Sequence, residues 1–155
     1  MKQRINILLT GGAGFIGSNL AERLLSLEQV GHVRILDNLL TGKFENIRPF
    51  SNHPKLEFVL GDIRDYQTCL NACEGMDVIC HQAALGSVPR SLNDPITTNA
   101  INVSGMLNLF TAARECGIRK IVHACSSSTY GDSKKLPKVE AVSYTHLTLP
   151  TIYSV

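Results

Sequence analysis

The stretch Thr10-Gly11-Gly12-Ala13-Gly14-Phe15-Ile16-Gly17 constrains this chain most, because it joins the apolar run at residues 5–9 to a segment periodic in Ile16, Leu20, Leu24 and Leu27. A buried strand, a tight glycine turn and a helix N-terminus, in that order, aim backbone N–H groups at one point and make a cradle for a pyrophosphate. The glycines read either as Gly12-x-Gly14-x-x-Gly17 or as Gly11-x-x-Gly14-x-x-Gly17. In both registers one turns the chain, one lets the backbone approach the phosphates, and the last lets the helix pack on the strand. Phe15 and Ile16 then open the helix at the cradle.

Three glycines alone are a weak signal. The second strand, at residues 33–37, strengthens it, since its terminal carboxylate, Asp37, falls 20 residues after Gly17. That is the spacing at which an acid accepts hydrogen bonds from adenosine ribose hydroxyls. An acid there also repels a 2′-phosphate, so the expected cofactor is NAD rather than NADP. The bland alternative is a strand-end residue that starts a turn.

At 155 residues the chain has the length of one domain. With 44% apolar and 18% charged residues and a net charge of +2, it gives no reason to invoke nucleic acid or a membrane as partner. Met1-Lys2-Gln3-Arg4 followed by an apolar stretch imitates a signal peptide, but Asn6 and the glycines break the run. Cys69, Cys73, Cys80, Cys116 and Cys125 are odd in number and scattered, which argues against a disulfide framework and for a reduced, cytoplasmic protein. Cys69 and Cys73 lie one helical turn apart, with Cys80 and His81 downstream. No second ligand pair at zinc-like spacing follows, so buried thiols are the expectation and a metal is not.

Strand and helix alternate along the rest of the chain. After Asp37 the polar loop Asn38-Leu39-Leu40-Thr41-Gly42 is placed to reach the adenosine end of a dinucleotide, and a third strand at 56–60 ends in Gly61-Asp62-Ile63. Asp62 is a candidate acceptor for the adenine amino group with Ile63 packing on the ring, or else a helix N-cap. A fourth strand at 77–81 ends in Gln82-Ala83-Ala84, where Ala83 and Ala84 leave room for a ligand. His81 reads as a satisfied, partly buried histidine rather than a general base. Asp94-Pro95 starts a helix with Val103, Met106, Leu107, Phe110 and Ala113 as its apolar stripe, Asn102 on the cofactor side and Gly117 as its end. A fifth strand at 120–125 runs into Ser126-Ser127-Ser128-Thr129-Tyr130-Gly131. Five strands with crossovers predict a doubly wound parallel α/β sheet, the Rossmann arrangement, in the order 3-2-1-4-5.

These segments together, Thr10-Gly11-Gly12-Ala13-Gly14-Phe15-Ile16-Gly17-Ser18, Asp37-Asn38, Gly61-Asp62-Ile63-Arg64, His81-Gln82-Ala83-Ala84 and residues 126–131, resemble the extended short-chain dehydrogenase/reductase family. Residues 81–91 and 130–140 are most similar to its nucleotide-sugar 4-epimerases, of the UDP-N-acetylglucosamine or UDP-glucose type. The resemblance covers residues 5–140. It implies transient oxidation of the sugar at C4 and re-reduction on the other face, with tightly held NAD and a homodimer in the full-length family. By position it implies Ser126 as the serine that hydrogen-bonds the reacting oxygen, with Ser127 and Ser128 as neighbours. Gly86 and Ser87 match positions bordering the sugar, and Asn38, Thr41, Gly42, Asp62, Ile63, Ala83 and Asn102 match cofactor-side positions. A 4,6-dehydratase would need an additional acid and base after the strand-five hydroxyl, usually Asp-Glu in the family, where this chain has Ser127 and Ser128.

The family's Tyr-x-x-x-Lys, roughly two dozen residues after the serine, has no match near Pro150. Tyr130 and Lys134 have the spacing, but Gly131-Asp132-Ser133 and Pro137 make a poor helix. Residues 141–155 contain no Asp, Glu, Lys or Arg, whereas the preceding 140 hold all fifteen basic and thirteen acidic residues. The expectation is therefore an NAD-binding domain at residues 1–140, a non-native tail at 141–155, and no C-terminal substrate domain. A chain without the pair is expected to be inactive, which leaves a non-catalytic NAD-binding module as the alternative.

Overall fold

A computed structural model describes residues 4–125, and residues 4–123 belong to one compact unit. Alternation of side chains along the first strand, β1 (Ile5–Thr10), decides the layering. Ile7 and Leu9 point to one face with Val33 and Ile35 of β2 (Val30–Asp37), while Leu8 points to the other with Leu36. All of these are buried, as strands covered on both faces must be.

The sheet is parallel throughout, with the order β3-β2-β1-β4-β5, where β3 is Leu56–Leu60, β4 is Val78–His81 and β5 is Lys120–His123. This is the expected doubly wound order, and β1 lies at the switch point between its two halves. On the Ile7 and Leu9 face lies α1 (Phe15–Leu25), whose Ala21 and Leu25 enter the core. On the Leu8 face lie α2 (Tyr66–Cys73) and α5 (Met106–Glu115). Between these come two short helices, α3 (Val88–Asn93) and α4 (Pro95–Asn99), and a π-turn over Ala100–Gly105 that leads into α5.

Several boundaries and faces differ from the sequence reading. β2 begins three residues earlier than expected, and β5 ends at His123 rather than at residue 125. The helix α3 was not foreseen; it starts just past Ser87, whose Oγ accepts from the N–H of Arg90 at 3.4 Å. The predicted stripe on the last helix is partly rotated: Ala113 is buried as expected and Met106 and Phe110 are half-buried, but Val103 and Leu107 are 54% and 65% exposed, and Ile101, Gly105, Leu109 and Ala112 are buried in their place. This helix is apolar on two faces, so periodicity alone could not choose the one that meets the sheet. Ile16, expected to be inward, is likewise exposed, because α1 packs through Gly17, Ser18, Ala21 and Leu25.

Arg34 locks the edge of the sheet to α2. Its Nε donates to Glu57 Oε2 at 2.7 Å, and its Nη1 donates to the carbonyls of Ala72 and Glu74 at 2.9 and 2.8 Å, a C-terminal cap supplied from a neighbouring strand. Gly117, at φ +73°, closes α5 as expected, with the N–H of Ile118 donating to Ala113 O at 2.8 Å.

Candidate functional site

The C-terminal ends of the parallel strands β1 to β4 share one edge of the sheet, where the glycine turn follows β1, and in open sheets of this kind that edge forms the crevice that takes ligands. Gly11, at φ +70°, turns the chain, and a Cβ there would lie 2.6 Å from the backbone nitrogen of Ala83, so only glycine lets β1 leave beneath the β4 loop. A Cβ on Gly12 would enter the Ile35 side chain, and one on Gly17 would collide with the Gly11 carbonyl. Gly17 thus seats α1 on the turn itself. Gly14 differs: its Cβ would meet only Gly11 O, at 3.3 Å, and otherwise open space. Gly14 is the N-cap of α1 without a side-chain cap, and no acidic residue stands in the first turn. An eleven-residue helix therefore presents an uncapped N-terminus to the crevice, the arrangement that receives an anion.

Asp37 ties this turn to β2. It is 8% exposed, and its Oδ2 accepts from the N–H of Ala13 at 2.9 Å while its Oδ1 accepts from the N–H of Leu39 at 2.8 Å. A carboxylate offers about four acceptor sites, so two remain open to a ligand. Asp37 also starts a turn, since its Leu39 bond stabilises a left-handed residue at φ +58°. The next residues close back on the glycine turn: Lys43 N–H and Asn46 Nδ2 both donate to Ala13 O, at 3.0 and 2.7 Å, and a Cβ on Gly42 would lie 2.9 Å from the Ala13 carbonyl carbon. Thr41 is exposed beside Gly42. Asn46 had no signal in the sequence, because a single Asn in a polar stretch has no period or motif to mark it.

At the end of β3, Asp62 gathers four hydrogen bonds. Arg64 bridges it through Nε and Nη2 at 3.0 and 2.7 Å, Arg64 N–H donates at 2.9 Å, and Asn38 Nδ2 donates at 2.7 Å. The Arg64 hydrogen bonds outweigh partial burial and hold the carboxyl down to about 2. The alternative of a helix cap passes to Asp65, which accepts from the N–H groups of Gln67 and Thr68 at 3.3 and 3.1 Å. Asp65 stands directly before α2, whereas Asp62 is three residues too early. Ile63 is buried against the core, and its carbonyl accepts from Cys69 Sγ and Asn108 Nδ2.

Across the switch point, Thr10 Oγ1 lies 2.6 Å from His81 Nδ1, and Gln82 N–H donates to Thr10 O at 3.0 Å. Burial, reinforced by His123 on the neighbouring strand, lowers His81 to about 4, so the ring is neutral at pH 7. Ala83 is half-buried and Ala84 exposed. Asn102 uses both ends of its amide on Leu85, accepting from its N–H at 2.8 Å and donating to its carbonyl at 2.9 Å. Asn102 therefore shapes the loop through Leu85. Gly86 faces open space and Ser87 is exposed. Burial pushes Cys69 and Cys73 up to about 12, so neither thiol is a nucleophile. Ser126, Ser127, Ser128, the Tyr130 and Lys134 pair and the tail at 141–155 lie outside the described residues.

The crevice thus holds a bare helix N-terminus, a buried acid at the end of β2 and a second acid at the end of β3, in the sequence that a dinucleotide's phosphates, ribose and base would meet. Comparison with known proteins agrees with this geometry. The NAD dependent epimerase/dehydratase family matches residues 7–155. A UDP-glucose 4-epimerase of Mycolicibacterium smegmatis is 45% identical over 136 residues, 86% of this chain and 42% of that protein. The structure of a UDP-N-acetylglucosamine 4-epimerase from Methanobrevibacter ruminantium, in complex with UDP-N-acetylmuramic acid, superposes with a TM-score of 0.80 at 34% identity, covering 92% of this chain and 44% of that one. A dTDP-glucose 4,6-dehydratase from Streptomyces venezuelae with NAD bound superposes with a TM-score of 0.80 at 32% identity, covering 90% and 45%. The chain spans less than half the length of each of these proteins.

Proposed function

The chain belongs to the NAD dependent epimerase/dehydratase family, and from that premise we propose that it is the cofactor-binding part of an NAD-dependent nucleotide-sugar 4-epimerase acting on UDP-glucose or UDP-N-acetylglucosamine. The observation that carries the cofactor is Asp37, buried with one oxygen on the glycine turn and one on Leu39, beside the uncapped N-terminus of α1. The residues present fit NAD. Gly14 leaves the space its pyrophosphate needs, Phe15, Ile16 and Gly17 offer the helix-start N–H groups, and Asp37 accepts the ribose hydroxyls. Asp62, held ionised by Arg64 and with its acceptor sites filled by Arg64 and Asn38, accepts the adenine amino group in exchange for the Asn38 bond. When bound, NAD supplies reversible hydride transfer at the sugar C4.

On the sugar side, Gly86 and Ser87 line the entry, and Ser126 at the end of the fifth strand hydrogen-bonds the reacting oxygen. That role for Ser126 rests on its position in the sequence. A 4,6-dehydratase is the second enzymatic reading, supported by the Streptomyces relative; Ser127 and Ser128 in place of an acidic pair favour the epimerase. A non-catalytic NAD-binding module is the reading outside the enzymes, because residues 126–155 hold no Tyr-x-x-x-Lys on a helix-forming segment. The epimerase reading carries with it a cytoplasmic location and, for the full-length family only, a homodimer. Among the described residues no helix is long and apolar enough to cross a membrane.

The test combines calorimetric titration of NAD and NADP into this chain with incubation of the product of the reading frame, taken from source DNA across and beyond the codon for Glu140, with UDP-glucose and UDP-N-acetylglucosamine, products being separated by ion-pair chromatography. NAD binding with formation of the 4-epimer supports the proposal. A 4-keto-6-deoxy product selects the dehydratase, and NAD binding without any product selects the module. Failure to bind NAD sinks all three.

A further inference from the structure

Asn102, Gly105 and Asn108 fall at three-residue steps along one helical rod and address two different loops. Asn102 holds the β4 loop by both backbone groups of Leu85, at 2.8 and 2.9 Å. Asn108 Nδ2 holds the β3 loop by the carbonyls of Ile63 and Arg64, at 3.2 and 2.9 Å. Between them Gly105 lies so close to Ile63 that a Cβ there would sit 2.7 Å from its Cγ1. The rod is not a plain α-helix. Asn102 lies inside the π-turn Ala100–Gly105, a geometry that is rare, costs regular hydrogen bonding and recurs at functional sites.

Neither loop needs these bonds to finish its own strand. β3 and β4 pair along their lengths with β2, β1 and β5, and α2 is capped by Asp65. What the two asparagines add is a fixed separation between the loop carrying Asp62 and the loop carrying Ala83, Ala84 and Gly86. These are the two sides between which an extended dinucleotide would lie.

We infer that residues 100–115 act as a spacer for the crevice, with Asn108 positioning its adenosine side and Asn102 its opposite side, through backbone bonds to Ile63, Arg64 and Leu85. Both are positioning residues and touch no ligand in this role. The inference rests on the NAD reading for its consequence in binding, but its structural half stands without a ligand.

The experiment measures amide hydrogen exchange and ligand affinity in the whole chain for Asn102→Ala and Asn108→Ala, with the near-isosteric Asn102→Asp and Asn108→Asp read in their place if an alanine variant does not fold. In the ligand-free protein, Asn108→Ala is expected to speed exchange at Arg64 and Asp65, and Asn102→Ala at Leu85, while the strands keep their protection. AMP and NAD are then titrated. Loss of Asn108 is expected to weaken both by about tenfold, the effect of one misplaced hydrogen-bonding loop. Loss of Asn102 is expected to leave AMP within about twofold and to weaken NAD about tenfold. Uniform acceleration of exchange across residues 4–123, or equal losses of AMP and NAD in both variants, would overturn the inference. If the unaltered protein binds neither ligand, the cofactor reading falls and the exchange pattern alone decides: local loosening upholds the spacer and uniform loosening overturns it.

Discussion

Thr10 and His81 meet across the switch point of the sheet, Oγ1 to Nδ1 at 2.6 Å, with both residues buried. The ring also stacks edge-on against Phe110 at 6.2 Å, and His123 lies beside it in the register of β4 and β5. Burial first, and His123 second, lower His81 to about 4 from an ordinary 6.5. A histidine whose folded value is lowered binds its proton more readily when unfolded. Its contribution is therefore fully present above pH 6.5 and is lost as pH falls from 6.5 to about 4. At about 1.4 kcal/mol per pH unit the loss is roughly 3 kcal/mol. His81→Asn, which keeps a polar atom near the Nδ1 position and removes the titration, is expected to flatten this part of the profile. Urea unfolding at half-unit steps from pH 7 to 4 checks it, and an unchanged slope in the variant would assign the acid sensitivity elsewhere.

Asp37→Ala removes the acceptor for two N–H groups, one of them on fully buried Ala13. Leaving a buried donor unsatisfied costs about 1–3 kcal/mol. The variant is expected to unfold earlier, to bind NAD at least about tenfold more weakly, and to discriminate less between NAD and NADP, since the charge opposing a 2′-phosphate is gone. Calorimetric titration of both dinucleotides reads the last two effects. Undiminished preference for NAD would show that another group sets it.

Two glycine variants separate folding from binding within one turn. Gly17→Ala drives a methyl into the Gly11 carbonyl, backbone against backbone with nothing to yield, and is expected to cost about 3 kcal/mol or more. Gly14→Ala meets only Gly11 O at 3.3 Å. It is expected to fold nearly normally yet to fill the cradle and lose most NAD affinity. Thermal unfolding and NAD titration on the pair give opposite orders of severity if Gly14 faces the pyrophosphate, and the same order if it does not.

The strand order and the glycine turn were legible because β1 and β2 are buried on both faces and read as short apolar runs, and because the left-handed φ of Gly11 and the approach of Gly17 to the Gly11 carbonyl act within a few residues. The separation of work between Gly14 and Gly17 was legible in outline only; which atoms Gly17 meets depends on the finished turn. The face of α5 was misread because Val103 and Leu107 are as apolar as Ile101 and Leu109, and only the sheet decides between them. Asn46, Asn102 and Asn108 spend their amides on backbone groups 17 to 45 residues away in sequence. No local pattern encodes such a partner. Asn102 stands on the cofactor side in the sequence reading, and its bonds to Leu85 had no signal there; of the two readings of Asp62, adenine acceptor or helix cap, the cap falls to Asp65.

The Arg34 lock makes an asymmetric prediction. Burial alone would push the Glu57 carboxyl up, but hydrogen bonds from Arg34 and His32 outweigh it and hold it low. Glu57 keeps His32 Nε2 at 3.0 Å as a second partner and remains 41% exposed, so losing Arg34 does not strand it. The α2 carbonyls of Ala72 and Glu74 have no such reserve, because no basic residue stands in the last turn of that helix. Arg34→Met, which keeps the aliphatic stem, is therefore expected to cost about 1–3 kcal/mol, mostly through α2. Glu57→Gln is expected to cost less than about 1 kcal/mol, as for a partly exposed ion pair. Neither touches the crevice, so NAD affinity should stay within about twofold in both. Urea unfolding of the two variants and their double mutant checks the ranking. A larger loss for Glu57→Gln would mean that the ion pair, and not the helix cap, secures the edge of the sheet.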